Sequence, residues 1–410
     1  MEVKLPANHF SLQGANRIRL RSGQGYPAGM KRVLILGGGM VGAAMAMDLA
    51  AEADLEVTVA DRDADRLQTL AARFGVATVQ ADLGDPDRLR KLAGQADVIL
   101  GALSSVIGLQ SLQAVLEAGR DYVDISFMPE DPTTLHALAQ ERGACAVVDC
   151  GVAPGLSNML CGFAAASMQP CEKLRIFVGG LPAERSWPYE YRAGFAPSDV
   201  IEEYVRPARQ VENGKVVVYP ALSGVERLEF PDLGTLEAFH TDGLRSLIQS
   251  LEVPDMQEKT MRYPGHAALM ESFRETGLFS PKEIQLPSGD KVTPLEMTST
   301  LMFPKWEFQP GEVDITVLRV QAQGVSQGRQ IQWQWDLHDR MDPTTGFRSM
   351  SRTTAFPATA MARLLLSKKW HRPGVHPPEI PAQETGVMEE ILTALKARGI
   401  SIRKQEQTLE

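Results

Sequence analysis

Cysteine is scarce in this chain. Four occur in 410 residues (Cys145, Cys150, Cys161 and Cys171), none of them as a C-x-x-C pair. That is too few for a disulfide scaffold and fits no standard zinc spacing. A reduced, cytoplasmic compartment is the simplest setting. The seven histidines are scattered without an H-E-x-x-H or similar pair, so no metal is expected. No run approaches the roughly 20 apolar residues of a membrane helix, and the N-terminus lacks the charged-then-apolar pattern of a secretory signal. No membrane association is expected. Positive charge is also in deficit: 42 Lys and Arg against 51 Asp and Glu leave a net −9, which disfavours a nucleic-acid partner.

What is present begins at Val33-Leu34-Ile35-Leu36. Gly37, Gly39 and Gly42 follow at the spacing G-x-G-x-x-G, and then an Ala/Met/Leu run with good helix propensity. Gly37 allows the tight turn, Gly39 lets backbone approach a pyrophosphate, and Gly42 lets helix and strand pack closely. The N–H groups and dipole at the helix start favour phosphate. Asp61 ends the next apolar strand, 19 residues past Gly42, near the spacing of a carboxylate that binds the adenosine ribose. Its charged hydrogen bonds to ribose hydroxyls are worth about 1.5–3 kcal/mol, and it would repel a 2′-phosphate. Arg62 next door could soften that repulsion. NAD is therefore expected over NADP. The residues expected to border the dinucleotide are Gly37, Gly39, Met40, Val41, Gly42, Asp61, Arg62, Asp82, Leu83, Ala102, Leu103 and Ser104.

Strands and helices alternate from residue 30 to about 155, which reads as a doubly wound parallel α/β sheet of Rossmann type with its ligand crevice at the carboxyl ends of the strands. The period then changes. Residues 156–345 read as a second, α+β domain with a mixed sheet, for substrate binding and dimerisation. Helices are expected at 198–205, 243–251, 266–274, 356–368 and 385–398, and turns at Asn213-Gly214 and Ser288-Gly289. Residues 1–29 have little apolar periodicity and are expected to stand outside the fold; Met30 is a candidate natural start.

Loops after the fourth to sixth strands should line the cleft. Asp124 could hold a substrate amine or move a proton; it reads equally well as a turn carboxylate. Cys150 is either a functional thiol or a small buried hydrophobe. His240 could accept a proton from an ammonium, or be structural. Together these are the catalytic candidates; Ser126, Phe127, Gly151 and Thr241 are the candidates for substrate contact.

The glycine loop, Val123-Asp124-Ile125-Ser126, Asp149-Cys150-Gly151-Val152-Ala153-Pro154-Gly155 and Arg262-Tyr263-Pro264-Gly265 together resemble the saccharopine dehydrogenase/reductase family. Glu202-Glu203-Tyr204-Val205, Asn213-Gly214-Lys215 and Leu236-Glu237-Ala238-Phe239-His240-Thr241 look most like its lysine 6-dehydrogenase branch. The resemblance implies a homodimer whose C-terminal helical segment, residues 346–410, packs back on the first domain. It implies NAD-dependent oxidative deamination of L-lysine at the ε-amine. The products are ammonia and 2-aminoadipate 6-semialdehyde, which cyclises to piperideine-6-carboxylate. Saccharopine reductases carry an arginine in the block matching Ala196-Pro197-Ser198-Asp199; its absence here fits a smaller or more cationic substrate. The alternatives are a saccharopine or carboxynorspermidine dehydrogenase acting on a secondary amine, and a non-catalytic NAD-binding sensor.

Overall fold

Val33 to Leu36 are all buried, so β1 (Lys31–Leu36) is covered on both faces. In the computed structural model, which describes residues 29–409, alternation continues from that strand. It runs through α1 (Met40–Ala50), β2 (Leu55–Asp61), α2 (Ala64–Phe74), β3 (Ala77–Gln80), α3 (Pro86–Ala93) and β4 (Val98–Gly101). Next come α4 (Gly108–Glu117), β5 (Asp121–Asp124), α5 (His136–Arg142) and β6 (Cys145–Val147). Local chemistry sets the boundaries. Asp63 caps α2 by accepting from the Arg66 N–H, and Gly75 ends it at φ +66°. The leader expected to stand outside the fold lies outside the described residues, except for Gly29.

α6 (Leu156–Ser167) leads into β7 (Cys171–Pro182), α7 (Pro197–Val205) and the hairpin of β8 (Ala208–Glu212) and β9 (Lys215–Tyr219). Asn213 and Gly214 both take positive φ (50° and 73°), as a two-residue hairpin turn requires. β10 (Glu226–Phe230), β11 (Gly234–His240), α8 (Leu247–Ser250), β12 (Asp255–Arg262) and α9 (His266–Thr276) follow. The small hairpin of β13 (Ile284–Gln285) and β14 (Lys291–Val292) precedes α10 (Pro294–Trp306), β15 (Asp314–Ser326) and β16 (Arg329–Arg340). The chain ends with α11 (Ser349–Leu366), β17 (Gly374–His376), α12 (Glu379–Ala382), α13 (Val387–Ala397) and β18 (Ile402–Thr408). The first sheet is parallel throughout, in the order β17-β6-β5-β4-β1-β2-β3. The second has nine strands and is mixed: β12 and β7 pair in parallel, the others antiparallel.

The structure differs from the sequence expectations in four elements. The helix expected at 243–251 is only α8. α10 was not expected, because Pro294 and Pro304 break its pattern. The C-terminal segment expected to be helical contains two strands: β17 extends the first sheet beyond β6, and β18 pairs with β16. β18 is an exposed polar edge strand without apolar alternation.

α11 packs against α1, and a buried ion cluster joins them. Asp48 of α1 accepts from Thr359 Oγ1 at 2.5 Å and Arg363 Nη1 at 2.8 Å on one oxygen, and from Arg398 on the other. Glu52 pairs with Arg363 as well. Removing one member strands charges away from water, at a cost of about 3–5 kcal/mol. Asp48→Ala should lower unfolding free energy by that amount in denaturant titration, whereas Glu384→Ala, which breaks the exposed Arg372 pair, should cost under about 1 kcal/mol.

Candidate active site

Backbone crowding shapes the glycine loop. Gly37 has φ +94°, and a Cβ there would come within 2.4 Å of the Ala102 carbonyl oxygen. A Cβ on Gly42 would meet the Gly37 oxygen at 1.9 Å, so only glycine lets α1 sit this close to β1. Gly39 is different: a Cβ there would meet nothing within 4 Å. It N-caps α1 without a side-chain bond, and the first turn holds no acidic residue. The leading N–H groups and helix dipole are thus left for an anion. Met40, half exposed, and Val41 open that helix. Leu103 and Ser104 follow Ala102 on the loop after β4, with Leu103 Cδ2 3.4 Å from the Cβ position of Gly37. These residues fit a dinucleotide pyrophosphate.

Asp61 ends β2 beside the loop. The Gly38 N–H donates to Oδ2 at 2.6 Å and the Asp63 N–H to Oδ1 at 2.9 Å, with Arg66 at 3.5 Å. Burial opposes the charge, but these N–H donors and the Arg66 guanidinium outweigh it and hold the carboxyl below its usual range. Arg62 is exposed next to it. Asp82 is exposed too and accepts from the Gly84 N–H, as turn carboxylates do. The Leu83 side chain is buried in the core with Leu34 and Ala60.

Asp124, the last residue of β5, is fully buried. Ser126 Oγ donates to its Oδ1 at 2.9 Å and the Tyr122 hydroxyl to the same oxygen at 3.3 Å. Gly101 makes room for this group, since a Cβ there would lie 2.0 Å from the Tyr122 hydroxyl and 2.3 Å from Asp124 Oδ1. Asp124 Oδ2 is buried without a hydrogen-bond partner among the described residues. Burial, with the Asp149 charge adding, pushes the carboxyl up to about 7 against the Ser126 hydrogen bonds. A carboxylate so placed can hold or take a proton near neutral pH.

Phe127 lies on the cleft side of this loop. Arg245 stacks over its ring at 4.2 Å and makes a paired ion contact with Asp149 at 3.1 and 3.2 Å. The cleft has a cavity volume of about 90 Å³ and opens to solvent. Phe127, Ala153 and Pro154 come from the dinucleotide half; Asp199, Glu202, Glu203 and Arg206 come from around α7; and Thr241, Asp242, Gly243, Glu258 and Thr260 from the second sheet. Gly151 is packed beneath, its Cβ position 3.2 Å from Pro154 oxygen and Thr354 Cγ2.

None of the three catalytic candidates is among the residues that line this cleft; Asp124 is fully buried at the end of β5. His240 and Lys259 are register partners, so their side chains share one face of the sheet, while Thr241, Glu258 and Thr260 share the other. The His240 ring instead lies 4.6 Å from Tyr219 and contacts Gln257 at 3.0 Å and Ser223 at 3.3 Å. Burial and then the Lys259 charge hold its imidazole below the usual range. Cys150 is fully buried, and burial with the Asp124 and Asp149 charges pushes its thiol well up. It packs as a small hydrophobe and offers no thiolate. Sequence reasoning missed Glu258 and Arg245. The available signal was a carboxylate at a core-parity position of a strand, between Met256 and Thr260. Among the described residues no group of three or more His, Cys, Asp or Glu is placed to hold a metal ion.

Comparison with known proteins follows this geometry. A family model described as the saccharopine dehydrogenase NADP binding domain matches residues 33–147, and one described as the saccharopine dehydrogenase C-terminal domain matches residues 151–400. Mitochondrial alpha-aminoadipic semialdehyde synthase of Bos taurus is 24% identical over 61% of this chain, which spans 28% of that protein's length. Carboxynorspermidine synthase of Vibrio cholerae is 21% identical over 84% of this chain and 90% of its own. Among solved structures, apo saccharopine dehydrogenase (L-Glu forming) from Saccharomyces cerevisiae shares the fold with a TM-score of 0.77 at 18% identity, covering 92% of this chain and all of that one. With a dinucleotide-type sheet, a mixed second sheet and both matched domains in sequence, the chain belongs to the saccharopine dehydrogenase family of oxidoreductases.

Proposed function

We propose that this protein is an NAD-dependent dehydrogenase of a cationic amine, with the ε-amine of L-lysine as its substrate. The carrying observation is the lining of the cleft: five carboxylates (Asp199, Glu202, Glu203, Asp242 and Glu258), of which three pair with Arg206, Arg209 and Arg262 and two, Asp199 and Glu258, have no cation partner among the described residues. Such a surface favours a substrate of net positive charge and repels the several carboxylates of saccharopine. A bound nicotinamide dinucleotide supplies the hydride acceptor. Amine oxidation needs the neutral amine, and a free lysine ammonium titrates at about 10.4. Asp124 is the group suited to take that proton: it is buried, one of its oxygens has no hydrogen-bond partner among the described residues, and burial raises its carboxyl to about 7. Ser126 and Tyr122 orient it. Water then cleaves the imine to ammonia and the semialdehyde. A second reading, a dehydrogenase of a polyamine-like secondary amine, draws on the Vibrio carboxynorspermidine synthases, because they match along 90% of their own length. It requires the same acidic cleft.

The preference for NAD rests on Asp61, ionised and held by backbone N–H groups at the end of β2. The family model's NADP designation points the other way, so the dinucleotide is a direct test.

Purified protein with NAD should produce NADH from L-lysine at alkaline pH, and not from saccharopine; turnover of saccharopine or carboxynorspermidine instead of lysine would overturn the reading. Asp61→Ala should weaken NAD binding roughly tenfold to hundredfold in fluorescence titration, as loss of charged hydrogen bonds implies, and narrow the gap to NADP. Asp124→Asn should lower kcat/KM by about 10²–10⁴ and abolish a rise in rate as pH increases through about 7. The stability sign is opposite. The folded carboxyl titrates above its unfolded value, so stability falls as pH rises from about 4 to 7 and stays low above that. The Asn variant should therefore melt higher than the parent at pH 8, with a smaller difference at pH 5.

A further inference from the structure

The charges of the cleft do not balance internally. Asp242 is held by Arg209 through two 2.9 Å contacts, Glu202 by Arg206 at 3.2 Å, and Glu203 by Arg262 at 2.7 Å. Among the described residues, Glu258 and Asp199 have no such cation. Glu258 is only 3% exposed, yet it lines the cleft. Thr241 Oγ1 donates to its Oε2 at 2.7 Å and the Gly243 N–H to the same oxygen at 3.0 Å. Its Oε1 accepts no hydrogen bond among the described residues. The position is built for this group: a Cβ on Gly243 would lie 2.4 Å from the Glu258 carboxyl carbon. Glu258 is further fixed at its backbone, where its N–H donates to Gln210 Oε1 at 2.8 Å.

We propose that Glu258, aided by Asp199 on the same cleft, is the seat of the substrate's non-reacting ammonium, and so selects a substrate with a second cationic nitrogen. The inference rests on the amine-dehydrogenase reading above and adds what that reading leaves open: which group recognises the end of the substrate that does not react. One carboxylate oxygen is occupied by Thr241 and Gly243, which sets the plane of the group and leaves the other oxygen for an N–H donor. Burial, with the Glu203 and Asp242 charges adding to it, pushes the Glu258 carboxyl up to about 8 while the cleft is empty of cation. An ammonium placed there would draw it back to the ionised form and form a charge-assisted pair. Arg206 in the same lining is the cation suited to a carboxylate on the same head group.

The probes are L-lysine and 6-aminohexanoate, which has the same chain, carboxylate and terminal amine but no α-ammonium. Binding of each to the full-length protein loaded with NADH is measured by calorimetry, alongside NADH production from each with NAD. Wild type should bind L-lysine roughly tenfold to hundredfold more tightly than 6-aminohexanoate, the range expected of one buried charge-assisted pair. Glu258→Gln should bring that ratio to within about threefold, and Asp199→Asn should lower it in the same direction. Equal binding of the two probes by wild type, or a ratio retained in Glu258→Gln, overturns the proposal. Asp199→Asn provides the same readout should the buried Gln variant fail to fold. A binding ratio that behaves as expected without any NADH from lysine leaves the ammonium seat standing and overturns the dehydrogenase reading instead.

Discussion

Asp48 is where the two ends of this chain meet. One buried carboxylate on the dinucleotide-side helix receives Thr359 and Arg363 from α11 and Arg398 from the end of α13. Apolar packing alone would hold α11 against α1, but it would leave the register between them loose. A carboxylate shared by three donors does not tolerate sliding, because each lost contact leaves a charge without water. The position of the glycine loop relative to the second sheet, and so the shape of the cleft, follows from that register.

Within the cleft, burial sets different protonation behaviour on similar groups. Asp61 keeps its charge because backbone N–H groups point at both oxygens. Asp124 is buried more deeply, with hydroxyl donors on one oxygen and none on the other among the described residues, so its burial raises it instead. Glu258 follows the second pattern, with like charges nearby. On the proposed reading three carboxylates serve three purposes: a fixed anion at the ribose end, a proton acceptor at the strand end and an ammonium seat in the second sheet. The difference lies in how deeply each is buried and what donates to it.

Much of the first sheet was legible in the residues. Four apolar residues before G-x-G-x-x-G, Asp63 and Gly75 as helix boundaries, and Asn213-Gly214 as a hairpin turn all act through local chemistry. Local signals reach only a few residues, and the failures show it. β17 is three residues long and pairs with β6 more than 200 residues away, so nothing adjacent marks it. β18 is polar throughout, an edge strand whose burial pattern carries no period. The place of Phe127 in the cleft lining followed from its strand end, but the place of His240 did not. Its place in a polar cluster hid a parity: one residue further on, Thr241 turns to the cleft while His240 turns away. Glu258 was invisible for the complementary reason, since its partners come from a neighbouring strand.

β17 also bears on how the molecule assembles. The seventh strand of the dinucleotide sheet is delivered by residues 374–376, after eight of the nine strands of the second sheet. During synthesis the first six strands emerge together and can pair, yet β6 keeps an open edge until the last tenth of the chain arrives. An edge that stays unpaired for so long is a template for other strands. The long sequence separation also makes closure slow relative to the local βα units. Completion of the cofactor-side sheet is thus a late event of chain growth, and a protein that ended before residue 374 would lose a strand of its first sheet.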